Sequence, residues 1–339
     1  MIDFRSDTVT KPTEEMMAAM ITAKVGDDVF GEDETVNALE EKAAALFGME
    51  GGLFCPSGTM TNQIAIKCFT QPLDEIIADQ TAHVYRYEGG GIMFNSGASV
   101  RLLNGDRGII SAEMIEEEIN PIGNIHHPHT SLVVLENTVN RGGGSCYFLK
   151  DIEPIYHLCK LKNLKLHLDG ARIFNALAYT KDEAKEYGKY FDGISVCLSK
   201  GLGAPVGSVL LGNKETIQYA KRVRKVLGGG MRQAGFLAAA GIYALDHHVE
   251  RLQIDHLHAK QLESCLLNLS FVKQVLPVQT NIVIFELNDS KNADNLVEEL
   301  KGKGILSGTF GKQMIRFVTH LDISQNQIEQ TIEILNGID

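Results

Sequence analysis

The sequence predicts a three-layer α/β large domain with a mainly parallel sheet, followed by a smaller C-terminal α/β domain. Three observations carry this. Between Gly51 and Val209 short apolar runs alternate with helix-like stretches. Most of those runs are apolar at consecutive positions, as strands buried on both faces require. After Gly228 the pattern changes to longer helical stretches with two further strand candidates. A chain of 339 residues has material for about two such domains.

Residues 18–34 mix Gly, Asp and apolar residues and read as an irregular arm. A helix follows, with Val36, Leu39, Ala43, Leu46 and Phe47 on one face, Asp33 or Thr35 as its start signal and Gly48 as its stop. The strand candidates are Leu53–Phe54, Ile76–Ala78, Leu132–Leu135, Leu164–Leu168, Ile194–Leu198 and Val209–Leu211. In the fourth, leucines alternate with Lys165 and His167, which predicts one polar-facing side. A helix is expected over Met60–Phe69. One long helical stretch, Gly235 to Asn268, is expected to bridge the domains with its histidines (His247, His248, His256, His258) solvated or at an interface. Strands at Thr280–Glu286 and Met314–Val318, with helices at Ala293–Lys303 and Gln325–Leu335, complete the small domain. The expected division is an arm at 1–30, a large domain at 31–249 and a small one at 250–339.

Lys and Arg total 32 against 43 Asp and Glu, a net charge of −11. An acidic chain without a basic run does not fit a nucleic-acid binder, and an anionic ligand would need a local positive site. The acidic N-terminus and an apolar run no longer than Gly235–Leu245 predict no export and no membrane span, hence a cytoplasmic protein. Six scattered cysteines lack zinc or redox spacing and read as reduced core residues. Gly201, Gly203 and Gly207 form Gly-x-Gly-x-x-x-Gly, one residue too long for a dinucleotide fingerprint, and Pro205 interrupts the helix start. That argues against a nicotinamide dehydrogenase. No P-loop string is present.

Two strands end in reactive side chains. Asp169 closes His-Leu-Asp-Gly-Ala-Arg, and Lys200 closes Ser-Val-Cys-Leu-Ser-Lys-Gly. Ligands of such sheets sit at the carboxyl ends of the strands. An amine opposite a carboxylate there is what pyridoxal 5′-phosphate (PLP) needs: the amine forms a Schiff base with its aldehyde, and the carboxylate keeps its ring nitrogen protonated. Taken alone, Lys200 also fits a lysine whose stem packs while its head reaches water, and Asp169 fits a helix N-cap. Pro56-Ser57-Gly58-Thr59 opens a helix whose amides, with the Thr59 hydroxyl, could cradle a phosphate; a plain capped helix is the other reading. Ser199 is a further donor, and the Gly228–Arg232 loop offers close backbone approach and a guanidinium. His83 could stack on a flat ring or move a proton. His126, His127 and His129 cluster, but not on a helix face, so no metal site is expected.

Together these strings resemble the low-specificity L-threonine aldolases, within the aspartate-aminotransferase-like (fold type I) PLP enzymes. The resemblance runs nearly end to end: Asp3–Thr10, Gly26–Gly31, Pro56–Thr59, Leu135–Thr138, His167–Arg172, Leu198–Gly201 and Gly228–Gln233. It implies that Lys200 joins the cofactor, Asp169 pairs with the pyridine nitrogen, and His83 stacks on the ring. Gly58, Thr59 and Ser199 would hold the phosphate. Lys225 and Arg232 would approach from a neighbouring subunit. Arg172 would contact the ring's phenolic oxygen or the substrate carboxylate, which Ser6 and Arg316 also bind. Tyr87 would shape the pocket. His126 or His127 would lie near the β-hydroxyl, and either His83 or His126 would be the base. The implied reaction is retro-aldol cleavage of L-threonine, L-allo-threonine and other β-hydroxy-α-amino acids to glycine and an aldehyde. β-Elimination or racemisation of amino acids on the same scaffold is the alternative. The implied assembly is a homotetramer, a dimer of dimers with shared active sites.

Overall fold

The computed structural model describes residues 1–338. Seven strands form the large sheet: Gly51–Cys55 (β1), Asp74–Asp79 (β2), Ser99–Leu103 (β3), His129–Glu136 (β4), Lys165–Gly170 (β5), Gly193–Cys197 (β6) and Ser208–Gly212 (β7). Their order is β3-β2-β4-β5-β6-β7-β1. β7 pairs antiparallel with both its neighbours and every other pair is parallel. Each expected run falls on one of these strands, except that Leu164 lies one residue before β5 and Leu198 one residue after β6. β3 was not expected, because at this sheet edge only Leu103 is fully buried and no continuous apolar run results.

Successive residues of the central strands feed opposite cores. Phe54, Ile77, Val133 and Leu135 meet Val36, Leu39 and Phe47 of the helix Glu34–Phe47, while Leu53, Ile76, Leu132 and Val134 meet Ile64 and Ala65 of the helix Gly58–Phe69. Each such buried aliphatic side chain contributes roughly 1.5–3 kcal/mol. On β5 the expected polar side is polar but not wet. His167 is fully buried, with Nδ1 3.0 Å from the Gly193 carbonyl and Nε2 3.1 Å from Asn62 Oδ1. The helix above supplies amides in place of solvent, and burial pushes this imidazole down to about 4. Asp169 shares that covered face.

Other expectations change. The arm is not irregular throughout: Glu14–Ile21 is helical, N-capped by Thr13, and it buries Met16 in the main core. Leu46 is 40% exposed, and the buried stripe runs through Glu40 and Ala44 instead. The long bridging helix is two helices, Gly235–His247 and Leu252–Leu266. Its histidines are not all solvated: His248 and His258 are buried, and His256 Nε2 lies 3.0 Å from Asn175 Oδ1.

The C-terminal unit is a four-stranded antiparallel sheet of Val272–Val275 (β8), Ile282–Leu287 (β9), Gly308–Thr309 (β10) and Met314–Val318 (β11), in the order β10-β11-β9-β8. Helices Ala293–Gly302 and Gln325–Asn336 share its core through Leu296, Leu300, Ile328 and Leu335. The chain's start joins this core: Ile2–Asp3 pairs with Ile305–Leu306, and Phe4 stacks on Phe317 at 5.1 Å. That anchor carries Ser6 and Asp7 to the mouth of the large sheet. Among the described residues no helix is long and apolar enough to cross a membrane.

Candidate active site

Strand register assembles the site. Glu136 at the end of β4 lies beside Asp169 at the end of β5, and Asp169 lies beside Ser195 of β6. β6 then runs through Leu198 and Ser199 to Lys200. At these strand ends a cavity of about 410 Å³ is lined by Ser6, Thr8, His83, Tyr87, Glu136, Asn140, Arg141, Ala171, Arg172, Lys200, Thr309, Phe310 and Arg316. Ser6, His83, Tyr87, Arg172, Lys200 and Arg316, all expected from the sequence, therefore share one space.

Arg172 is buried and gripped by a buried carboxylate: Nε donates to Asp7 Oδ2 at 2.7 Å and Nη2 to Asp7 Oδ1 at 2.6 Å. Burial opposes ionisation of Asp7, yet the Arg172 charge and hydrogen bonds, with the Lys200 charge behind them, hold its carboxyl down to about 2. Asp7 takes the Nε–Nη2 edge of Arg172, so only the Nη1 end of the guanidinium is left to face a ligand, which narrows the role expected of it. Arg316 is positioned differently. Nη1 donates to Asn140 Oδ1 at 2.7 Å and Nη2 to the Arg5 carbonyl at 2.9 Å, with no carboxylate paired to it among the described residues. Burial and the neighbouring Arg172 charge lower it to about 10.

His83 opens a short helical turn after β2, and Glu136 Oε2 accepts its backbone N–H at 2.8 Å. Its Nδ1 lies 3.0 Å from Glu88 Oε1. Glu88 is buried and held by Asn62 Nδ2 at 2.9 Å and Gln63 Nε2 at 2.7 Å. A carboxylate accepts, so Nδ1 carries the proton and Nε2 is free to accept one. Burial disfavours the imidazolium, but the Glu88 hydrogen bond and the charges of Asp169, Glu88 and Glu136 outweigh it and raise the His83 pKa. Glu136 is pushed up to about 7 by its own burial and then by Asp169.

Asp169 Oδ1 accepts the Ala171 N–H at 3.1 Å in a local turn, but the helix Ile173–Thr180 starts further on with Arg172 at its N-cap position, so Asp169 is not its cap. Its Oδ2 is buried and has no hydrogen-bond partner among the described residues. An orphaned carboxylate oxygen is costly unless a donor arrives, and a protonated ring nitrogen is such a donor. Asp169, His83 and Glu88 bring ligand atoms within 4.8 Å of one another, and Glu88 and His83 Nδ1 in that group are already hydrogen-bonded.

Gly58 and Thr59 open the helix Gly58–Phe69, with Ser57 Oγ accepting the Met60 N–H at 3.2 Å. Ser208 Oγ nearby is buried with no hydrogen-bond partner among the described residues, and Ser199 Oγ lies 3.6 Å from Cys197 Sγ. These hydroxyls and helix amides suit an anion. Lys225 and Arg232 are not brought to the cavity: both are exposed, Lys225 lines a separate cleft with Asp28 and Phe30, and Arg232 pairs with Asp27. His126 and His127 are not brought there either. They sit in an exposed loop before the first residue of β4, whereas the site is at the last, so the strand's own length separates them within this chain. Sequence reasoning missed Asp7, Glu88, Asn140, Arg141 and a role for Glu136. Only Glu136, ending an apolar run as Asp169 does, carried a signal.

The fold is shared with solved structures of enzymes. The Leishmania major threonine aldolase structure superimposes with a TM-score of 0.88 at 21% identity, covering 100% of this chain and 99% of that one. Sphingomonas wittichii serine palmitoyltransferase gives 0.79 at 17% identity, covering 99% and 86%. Residues 3–290 match the model of the family described as Beta-eliminating lyase. The chain is 41% identical to the low specificity L-threonine aldolase of Escherichia coli (strain K12), covering 97% of each, and 40% identical to low-specificity L-threonine aldolase 1 of Arabidopsis thaliana, covering 98% of this chain and 94% of that one. The chain belongs to the beta-eliminating lyase family, in its low-specificity L-threonine aldolase branch, and is a lyase.

Proposed function

We propose that this protein is a PLP-dependent aldolase that cleaves L-threonine, L-allo-threonine and related β-hydroxy-α-amino acids to glycine and an aldehyde. The single observation that carries the reading is the orphaned, buried Asp169 Oδ2 beside His83, at the strand ends that also deliver Lys200. Lys200 would hold the cofactor covalently, Asp169 its ring nitrogen, and the Gly58–Thr59 helix start with Ser199 its phosphate. When bound, PLP supplies an electron sink for the pair left on the α-carbon as its bond to the β-carbon breaks.

The chain's own residues supply orientation and proton transfer. Arg316, Ser6 and the open Nη1 of Arg172 hold the substrate carboxylate and so fix the angle of the scissile bond. His83 would stack on the cofactor ring, and its Nε2 would take the β-hydroxyl proton, a role worth about 10²–10⁴-fold in rate. Glu88 sets the His83 tautomer. Tyr87, with its ring 5.5 Å from that of His83, bounds the side where the β-substituent sits. His126 can serve only from a neighbouring subunit, as we also assign Lys225 and Arg232. The proposal includes a cytoplasmic homotetramer with shared sites and a division into units near residue 250.

Acetaldehyde release from both threonine diastereomers, assayed beside serine and alanine, tests it. Glycine with acetaldehyde from threonine is the expected result. Pyruvate from serine or racemised alanine, without acetaldehyde from threonine, would point to β-elimination or racemisation instead.

A further inference from the structure

We propose that Arg141 adapts this site to β-hydroxy-α-amino acids that carry a second carboxylate on the β-carbon, such as 3-hydroxyaspartate; this rests on the retro-aldol reading above. The cavity holds three guanidiniums. Arg172 is neutralised by Asp7. Arg316 and Arg141 have no carboxylate partner among the described residues: Arg316 donates to Asn140 Oδ1 and the Arg5 carbonyl, while Arg141 donates through Nε to Tyr87 Oη at 2.6 Å and through Nη1 to the Phe310 carbonyl at 2.7 Å. Both stack on one ring, with their guanidinium carbons 4.2 Å (Arg141) and 4.6 Å (Arg316) from the Phe310 centroid. The ring's quadrupole favours each cation, but it does not cancel their mutual repulsion.

Lys200 would be taken by the cofactor, and the Glu136 oxygens already accept the His83 and Asn140 N–H groups; the two half-buried guanidiniums facing the same space are then matched by two anions. The α-carboxylate that every substrate carries answers Arg316. One guanidinium remains, and its Tyr87 hydrogen bond ties it to the side of the cavity where Tyr87 and His83 flank the β-carbon. The methyl group of threonine gives Arg141 nothing. A carboxylate there meets a planar fork whose Nη2 is still free, the geometry in which arginine exceeds lysine. The reaction balances without an oxidant. The β-hydroxyl proton goes to the base, the Cα–Cβ bond breaks, the β-carbon becomes the aldehyde carbon of glyoxylate, and the electron pair left on the α-carbon takes a proton to give glycine.

The test uses PLP-loaded protein and its Arg141→Met and Arg141→Lys variants, with kcat/KM measured for L-3-hydroxyaspartate (glyoxylate release) and L-threonine (acetaldehyde release). Calorimetric titration with L-aspartate, which has the second carboxylate but no β-hydroxyl, gives a readout independent of turnover. The expected result is glyoxylate formation by the native protein, a fall of at least tenfold (about 1.4 kcal/mol) in the hydroxyaspartate-to-threonine ratio in Arg141→Met, and a matching loss of aspartate affinity. Arg141→Lys, which keeps the charge, is expected to lose severalfold and decides the matter if the methionine variant does not fold. Threonine cleavage without hydroxyaspartate cleavage, or equal losses on both substrates, overturns the inference and leaves the aldolase reading standing. Failure on both substrates by protein with bound cofactor overturns the aldolase reading itself.

Discussion

Lys200 and Glu88 mark the two extremes of what single residues reveal. Lys200 stands where an apolar strand ends, in a string that points to its chemistry, and the structure puts it in the cavity with Arg172 and Arg316. Its replacement by Ala is expected to abolish acetaldehyde release, at least 10³-fold in kcat, because a covalent nucleophile has no substitute; the assay on cofactor-supplemented protein checks this. Glu88 gave no signal, since its meaning depends on Asn62, Gln63 and His83 converging in space. Its role appears in pH dependence. His83 must be neutral at Nε2 to accept a proton, so kcat/KM rises as pH passes upward through its raised pKa. Removing the carboxylate by Glu88→Gln takes away the leading cause that raises it, so the acid limb moves to lower pH while the limiting rate falls. An acid limb that stays in place in the variant would assign that limb to Glu136, whose carboxyl is pushed up to about 7 by burial.

Among the elements, the N-terminal strand and loop do the most positioning. Ile2–Asp3 docks on the small unit while Asp7 reaches Arg172 at the end of β5. Asp7→Asn leaves a buried guanidinium without its charge partner, a loss of about 3–5 kcal/mol, and thermal unfolding followed by circular dichroism is expected to show it. The sign with pH follows from the Asp7 carboxyl being held at about 2. The stability it contributes is present above the unfolded carboxyl's ordinary range and is lost as pH falls through the folded value. The central strands were legible because burial on both faces writes a continuous apolar run. Edge strand β3, the two-residue strand at Ile2–Asp3 and the break between Gly235–His247 and Leu252–Leu266 were not, because their form depends on partners distant in sequence. His167 misled for the same reason: a polar residue in alternation signals a polar face, and only the helix Gly58–Phe69 shows that this face is covered.

Within one chain the site draws on the large sheet, the C-terminal sheet and the chain's start, yet Lys225, Arg232 and His126 lie outside it. The proposed dimer would bring them to a neighbour's cavity; for Lys225 and Arg232 the family resemblance implied this, whereas no pattern of burial or spacing in the sequence did. Complementation tests this. Lys200→Ala and Arg232→Ala proteins, each with little activity alone, are expected to recover roughly a quarter of native activity once mixed and re-equilibrated, since half the dimers are hybrid and each hybrid holds one intact site; no recovery would place Arg232 outside a shared site. Everything rests on the covalent seat of the cofactor. Borohydride reduction of the PLP-loaded protein, followed by peptide mass spectrometry, is predicted to place the reduced pyridoxyl phosphate adduct on Lys200. An adduct on another lysine, or none on protein that still cleaves threonine, would contradict the account.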